Sequence, residues 1–198
     1  MGKTVSLFFI FLPGLIFSQA RNPHGHAVAS DLGLTYMPVL NRNTVEFNFD
    51  MEAKIGKRYF IGGGFTAPFM EYRLTASYGY PTDKPKFEFG SLQFVNEYRI
   101  VDKEKYKINA VEENSLMDYF LDDGNQRHWG YSVHSFLATN NYFTMSPGID
   151  AAFLFGGDHE HELFLKANYN FMFGKSEFAN AKTFNAFSFT VGLRLERQ

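Results

Sequence analysis

Twelve consecutive residues, Thr44 to Ile55 (TVEFNFDMEAKI), alternate between polar and apolar without an error. Val45, Phe47, Phe49, Met51, Ala53 and Ile55 share one parity; Thr44, Glu46, Asn48, Asp50, Glu52 and Lys54 share the other. A helix would scatter those charges around a cylinder. A strand points successive side chains to opposite faces, so a period of two predicts a strand. The pattern returns in 186–196, where Phe187, Phe189, Val191, Leu193 and Leu195 oppose Ala186, Ser188, Thr190, Gly192, Arg194 and Glu196. In 163–173 an apolar face from Leu163 to Phe173 opposes Lys166, Asn168 and Asn170, and in 143–155 one from Phe143 to Phe155 opposes Thr144, Ser146, Gly148 and Asp150. Four weaker segments, 28–38, 58–69, 87–100 and 105–112, complete a set of eight; Asn96 is a misfit in the third, and the last offers only Tyr106, Ile108 and Ala110.

The connections test that count independently. Gly56-Lys57, Val101 to Glu104 and 156–162 are short, whereas three of 39–43, 70–86, 112–141 and 174–184 are long. With eight antiparallel strands every short turn falls at the end that holds both termini. Outer-membrane barrels place short turns in the periplasm and longer loops outside. The expectation is therefore an all-β, transmembrane, antiparallel up-and-down β-barrel of eight strands with both termini periplasmic.

Charge decides which face points inward. The face opposite the aromatics carries the acids Asp31, Glu46, Asp50, Glu52, Glu97 and Asp150 and the bases Lys54, Arg99, Lys107, Lys166 and Arg194. An inner wall of Phe, Met and Leu from eight strands would overfill so small a lumen, which holds side chains or one small ligand. Aromatics on the outside match a lipid-facing band, and Tyr59, Tyr98 and Tyr106 lie beside short turns, where interfacial rings belong. The eleven charges are thus read as a paired network inside the lumen, where isolated ions would be costly. The rival arrangement is a soluble, lipocalin-like ligand-binding barrel with its apolar face inside.

Composition adds three constraints. The 198 residues hold 24 Phe, 11 Tyr and one Trp, yet mean hydropathy is −0.24, which suits strands greasy on one face only. Lys3, the apolar run Val5 to Phe17, and Ser18-Gln19-Ala20 read as a signal peptide over 1–20, leaving 21–198 as the barrel domain. The absence of cysteine removes disulfides and thiolate metal sites, and a net charge of −2 without a basic tract offers nucleic acid no footprint.

The strand pattern, the signal peptide and the closing strand FSFTVGLRL (187–195) together resemble the small eight-stranded outer-membrane-protein β-barrel domain family. That resemblance implies residence in the cell outer membrane, lipid as surroundings, the barrel-assembly machinery as a partner during insertion, and a monomer. Such barrels commonly end on an aromatic; this chain ends Leu195-Glu196-Arg197-Gln198.

Candidate chemistry is sparse. Loop 112–141 is far longer than an ordinary connection and holds Tyr119, Phe120, Trp129, Tyr131 and Phe136, so it is the expected binding surface, unless it extends a hairpin above the membrane and packs on itself. Ser132 and His134 share a face if 129–137 is extended, which sketches a lipid-modifying enzyme, but no third group is fixed beside them. His159 and His161, in the run Asp158 to Glu162, have metal-ligand spacing without an evident further ligand set, and read better as a solvated turn. No cofactor is implied, and no extracellular ligand is named. The expected function is an outer-membrane barrel with a filled polar lumen whose loops carry a surface, adhesion or structural role.

Overall fold

The computed structural model describes residues 27–40, 42–69, 72–73, 85–123, 136–155, 161–174 and 180–197. Its strands are β1 (Val28–Val39), β2 (Arg42–Ile55), β3 (Tyr59–Pro68), β4 (Tyr72–Arg73), β5 (Pro85–Asp102), β6 (Tyr106–Asp123), β7 (Phe136–Phe155), β8 (His161–Phe173) and β9 (Ala186–Arg197). Each pairs antiparallel with its neighbour in the order β3-β2-β1-β9-β8-β7-β6-β5, and β3 pairs with β5 to close the wall. Eight staves thus form a closed barrel without a free edge, and the two-residue β4 continues beside the start of β5. The eight-strand barrel is the architecture that the alternation predicts.

The register fixes the tilt. Following opposed residues once around, from Tyr59 through Tyr98, Ala110, Ile149, Ala167, Phe189, Tyr36 and Val45, returns to β3 at Phe69. The ten-position offset between Tyr59 and Phe69 corresponds to staves inclined at roughly 40° to the axis. Each residue then climbs about 2.5 Å along the axis, from a rise of about 3.3 Å along the strand.

The weakest strand by alternation is among the longest. The sequence places it at 105–112; β6 runs to Asp123 and β7 begins at Phe136, seven residues before the expected start. The signal fails because Glu112 to Ser115 puts polar residues on both faces. Most of the supposed loop 112–141 is therefore a paired hairpin, flanked along its full described height by β5, which pairs with β6 as far as Pro85 and Asp123. Residues 1–20, read as a signal peptide, lie outside the described residues.

The wall is greasy outside and polar inside. Leu32, Leu34, Phe94, Tyr98, Phe153, Leu165, Phe189, Val191 and Leu193 are among many large apolar side chains left exposed, while Asp31, Asp50, Glu97, Arg99, Asp150, Lys166 and Arg194 are buried. This inversion overturns the soluble lipocalin-like alternative, which needs its apolar face inside.

Candidate functional site

The lumen is filled in three tiers. The tier nearest the termini is ionic. Arg194 on β9 is its hub: its Nε and Nη2 donate to the Asp31 carboxylate of β1 at 2.7 Å each, its Nη1 and Nη2 reach Glu97 of β5 at 3.2 and 2.9 Å, and Nη2 lies 2.9 Å from Asp150 of β7. Arg99 grips Glu196 in a fork, at 3.2 and 2.8 Å. Lys107 donates to Glu162 and, at 2.7 Å, to Glu196. Lys166 donates to Glu113 at 2.6 Å and to Asp50 at 3.5 Å, and Gln93 also donates to Asp50. Bidentate and charge-assisted bonds of this kind hold both direction and distance, so they cross-link staves that are far apart in the wall.

Two buried rings support the cations. The Arg99 guanidinium stands 4.6 Å from the Phe60 centroid, and the Arg194 guanidinium 5.4 Å from that of Phe164; each ring offers its negative face to a desolvated charge. Phe164 fits because Gly192 opposite it has no side chain: a Cβ there would lie 2.8 Å from the Phe164 ring and 2.3 Å from the Leu32 carbonyl oxygen.

The middle tier is a band of hydroxyls and amides around a cavity of about 40 Å³, to which all eight staves contribute. Thr35 and Thr190 share a hydrogen bond of 2.7 Å across the β1–β9 seam, and Thr66 and Ser91 one of 2.7 Å across β3–β5. Glu46 Oε1, Asn48 Oδ1 and Thr144 Oγ1, all from cavity-lining residues, have no protein partner. Since a water needs on the order of 10–15 Å³ and two or more polar partners, the cavity suits a small cluster of waters.

The third tier, at the loop end, is apolar. Met37, Tyr72, Phe87, Phe89, Met117, Tyr119, Leu121, Tyr142, Met172 and Phe184 form one buried cluster. Its rings interlock: Tyr119 lies 5.0 Å from Phe87, 5.2 Å from Tyr142 and 4.9 Å from Phe184, centroid to centroid. A short 3-10 helix, Ala181–Phe184, capped by the Asn180 side chain, drives Phe184 inward as a stopper.

Ten of the eleven charges assigned to the lumen from sequence are buried there, and Lys54 is half-buried with its Nζ 5.6 Å from the Phe60 centroid. The balance differs from the six acids and five bases read in the chain. Glu162 and Glu196 also turn inward, so among the described residues eight buried acids face four buried bases, with Glu113 partly buried beside Lys166. Glu162 was assigned to a turn, although its parity with Lys166 already placed it on the inner face. Glu52, assigned to the paired network, keeps both carboxylate oxygens without a hydrogen-bond partner.

The loop candidates divide. Tyr119 is not a displayed loop residue but the centre of the apolar tier, fully buried, because its odd parity continues the inward face of Ser115 and Met117. Phe120 and Phe136 fall within β6 and β7 rather than in a loop. Trp129, Tyr131, Ser132, His134 and His159 lie outside the described residues. His161 is exposed on the outer face, its ring 6.0 Å from Phe155. Among the described residues no three of His, Asp and Glu are grouped to hold a metal ion.

An inverted, closed, eight-stranded barrel with a lumen filled by its own side chains around a small cavity is a membrane β-barrel of the outer-membrane class. Comparison with solved structures agrees on that fold. Neisserial surface protein A (NspA) matches with a TM-score of 0.56 at 16% identity, over 86% of this chain and 96% of that one. Ail, the attachment invasion locus protein of Yersinia pestis, solved with the heparin analogue sucrose octasulfate, matches with a TM-score of 0.51 at 8% identity, over 87% and 97%. The outer membrane protease OmpT of Escherichia coli superposes more loosely, with a TM-score of 0.40 at 8% identity over 89% and 98%, and bears on nothing further. No family model matches the chain, and no curated protein matches it in sequence.

Proposed function

We propose that this chain is a non-enzymatic outer-membrane surface protein, with both termini in the periplasm and the loop end outside, whose barrel is a rigid pedestal for the β6–β7 hairpin. The observation that carries this reading is the lumen. Ion pairs close one end and interlocked rings close the other, so the barrel serves poorly as a passage, and the elements left to act are those above the apolar band. The likeness to proteins described as a surface protein and as an attachment protein supports a surface role. Surrounding lipid and, during insertion, the barrel-assembly machinery are the partners this reading requires.

Two measurements test it. An epitope inserted after Gly124 in the full-length chain should be labelled by antibody on intact cells, and the protein should resist carbonate extraction of the outer membrane. Labelling only after the outer membrane is breached would refute the orientation. In planar bilayers the protein should show no stable openings of the order of nanosiemens, the scale of a water-filled porin lumen; such openings would refute the closed pedestal.

A further inference from the structure

A carboxylate stands on the outer face of the wall at mid-depth. Glu112 on β6 is exposed on the face it shares with Tyr106, Ile108, Ala110 and Leu116, while Lys107, Asn109 and Val111 turn inward. Six positions beyond Tyr106, it sits about 15 Å up the axis, near the middle of an apolar band about 25 Å tall. Two carboxamides flank it on the same outer face: Asn96, directly opposite on β5, and Asn114, two residues further along β6. On its other side it opposes Pro147 of β7, and the β7–β8 ladder lapses at Ser146 and Pro147, where proline has no N–H to give. Among the described residues the Glu112 side chain takes part in no hydrogen bond or ion pair, its backbone alone being paired in the ladder. Asn96 accepts the Tyr59 hydroxyl at 2.6 Å through Oδ1, which leaves its amide hydrogens for another acceptor.

An ionisable group at mid-depth on a lipid-facing wall marks contact with something other than lipid. We propose that this strip of β5 and β6 is where two copies of the chain associate side by side in the membrane. Copies inserted in the same orientation are related by a two-fold axis along the membrane normal, which brings residues of equal depth together. Glu112 and Asn96 are cross-strand partners, and with staves about 4.8 Å apart and tilted at roughly 40° they differ in depth by only about 3 Å. Two-fold apposition sets the Glu112 carboxylate of each copy against the Asn96 amide of the other. The patch therefore carries its own donor and its own acceptor, and a second copy satisfies both at once.

The surroundings fit such a contact. Leu92 and Leu116, a cross-strand pair just above the polar centre, are each 66% exposed, more than any other large apolar side chain among the described residues. They supply a rim that excludes lipid. The far wall differs: the outward positions from Leu163 to Phe173, from Phe187 to Leu195 and from Leu32 to Tyr36 carry no charge. That face suits hydrocarbon alone. The sequence reading expects a monomer; the outward placement of Glu112 is what changes the expectation.

The chain has no cysteine, so single-cysteine variants report cleanly. In outer membranes carrying the full-length chain, a short bis-maleimide should join Leu116→Cys into a dimer at least fivefold more than Val191→Cys on the far wall. Adding Glu112→Leu should reduce the Leu116→Cys dimer to the Val191→Cys background, whereas Glu112→Gln, which still offers an acceptor, should retain most of it. Heat-modifiable gel mobility checks that each barrel is folded. Equal cross-linking at the two sites overturns the proposal, as does an undiminished dimer in Glu112→Leu. Fluorophore-labelled wild-type chain in dilute proteoliposomes gives a test free of mutation at the interface: bleaching in two steps supports the pair, and bleaching in single steps overturns it.

Discussion

The two ends of the lumen are filled by opposite chemistry. Near the termini, Arg194, Arg99, Lys107 and Lys166 bind acids from across the barrel. At the loop end the same inward parity carries Met37, Phe87, Met117, Tyr119 and Met172. The staves are continuous through both regions, so backbone pairing does not explain the change. Depth does. The ionic tier lies within the lipid band, where an apolar outer face leaves the inner face to carry the polarity. The aromatic tier lies at and beyond the loop-side rim, where the outer face meets water and the inner face is free to form an ordinary core. One barrel thus combines an inverted segment with a conventional one.

The largest break in that comparison should come from Arg194→Leu. It leaves Asp31, Glu97 and Asp150 facing one another without their shared cation. Stripping one partner from a buried ionic cluster costs about 3–5 kcal/mol, and here three acids are stranded at once. Denaturant titration of the folded barrel in phospholipid vesicles measures the loss. Stability within about 0.5 kcal/mol of the wild type, the usual range for a neutral surface change, would mean that the cluster does not hold the staves.

Tyr119→Ala should cost about 3 kcal/mol through the void it leaves among Phe87, Phe89, Tyr142 and Phe184. Tyr119→Phe should be neutral or stabilising by up to about 1 kcal/mol, because the hydroxyl it removes is buried without a partner. The pair distinguishes a packed core from a polar lumen: if the hydroxyl matters and the ring does not, the loop end is not a core. The same titrations supply the answer.

A smaller contrast separates neighbours inside the ionic tier. Parity alone treats Asp50 and Glu52 alike and predicts a cost of several kcal/mol for changing both to Leu. Their surroundings differ. Asp50 accepts from Lys166 and Gln93, whereas both oxygens of Glu52 lack a hydrogen-bond donor. Asp50→Leu should therefore cost about 1–3 kcal/mol, as for a buried charged acceptor lost, and Glu52→Leu should be neutral or stabilising. Separate titrations of the single variants settle it; equal losses would restore the simpler reading.

The legibility of the chain follows the same division. Where lipid bounds the wall, alternation is enforced by two unlike media, and 44–55, 163–173 and 186–196 could be oriented from residues alone. Along β6 the pattern breaks twice: at mid-depth Glu112 to Ser115 put polar residues on both faces, and past the band Asp118 faces out while Met117 and Tyr119 face in, so the strand reads as noise. Glu112 and Glu113 then look like loop acids, and Tyr119 looks like a displayed aromatic. Parity carried through from Lys107 would have placed Tyr119 inside, Glu113 inside and Glu112 outside. The pairing within the lumen was not legible, because it depends on which staves face each other across the barrel. That choice is set by closure of β3 on β5 and by the ten-position offset between Tyr59 and Phe69. Asn96, a misfit by pattern, has its reason in three dimensions: it accepts the Tyr59 hydroxyl on the outer face.

The central claim is the orientation of the wall, and a spin-label scan of 46–52 tests it most directly. With no native cysteine, seven single-cysteine variants in lipid vesicles give each position's access to oxygen, which dissolves in hydrocarbon, and to a water-soluble nickel chelate. Labels at 47, 49 and 51 should show high oxygen access and low nickel access. Labels at 46, 48, 50 and 52 should be shielded from both, because their side chains stand in a packed lumen. High nickel access at the even positions together with low oxygen access at the odd ones would contradict the inverted barrel.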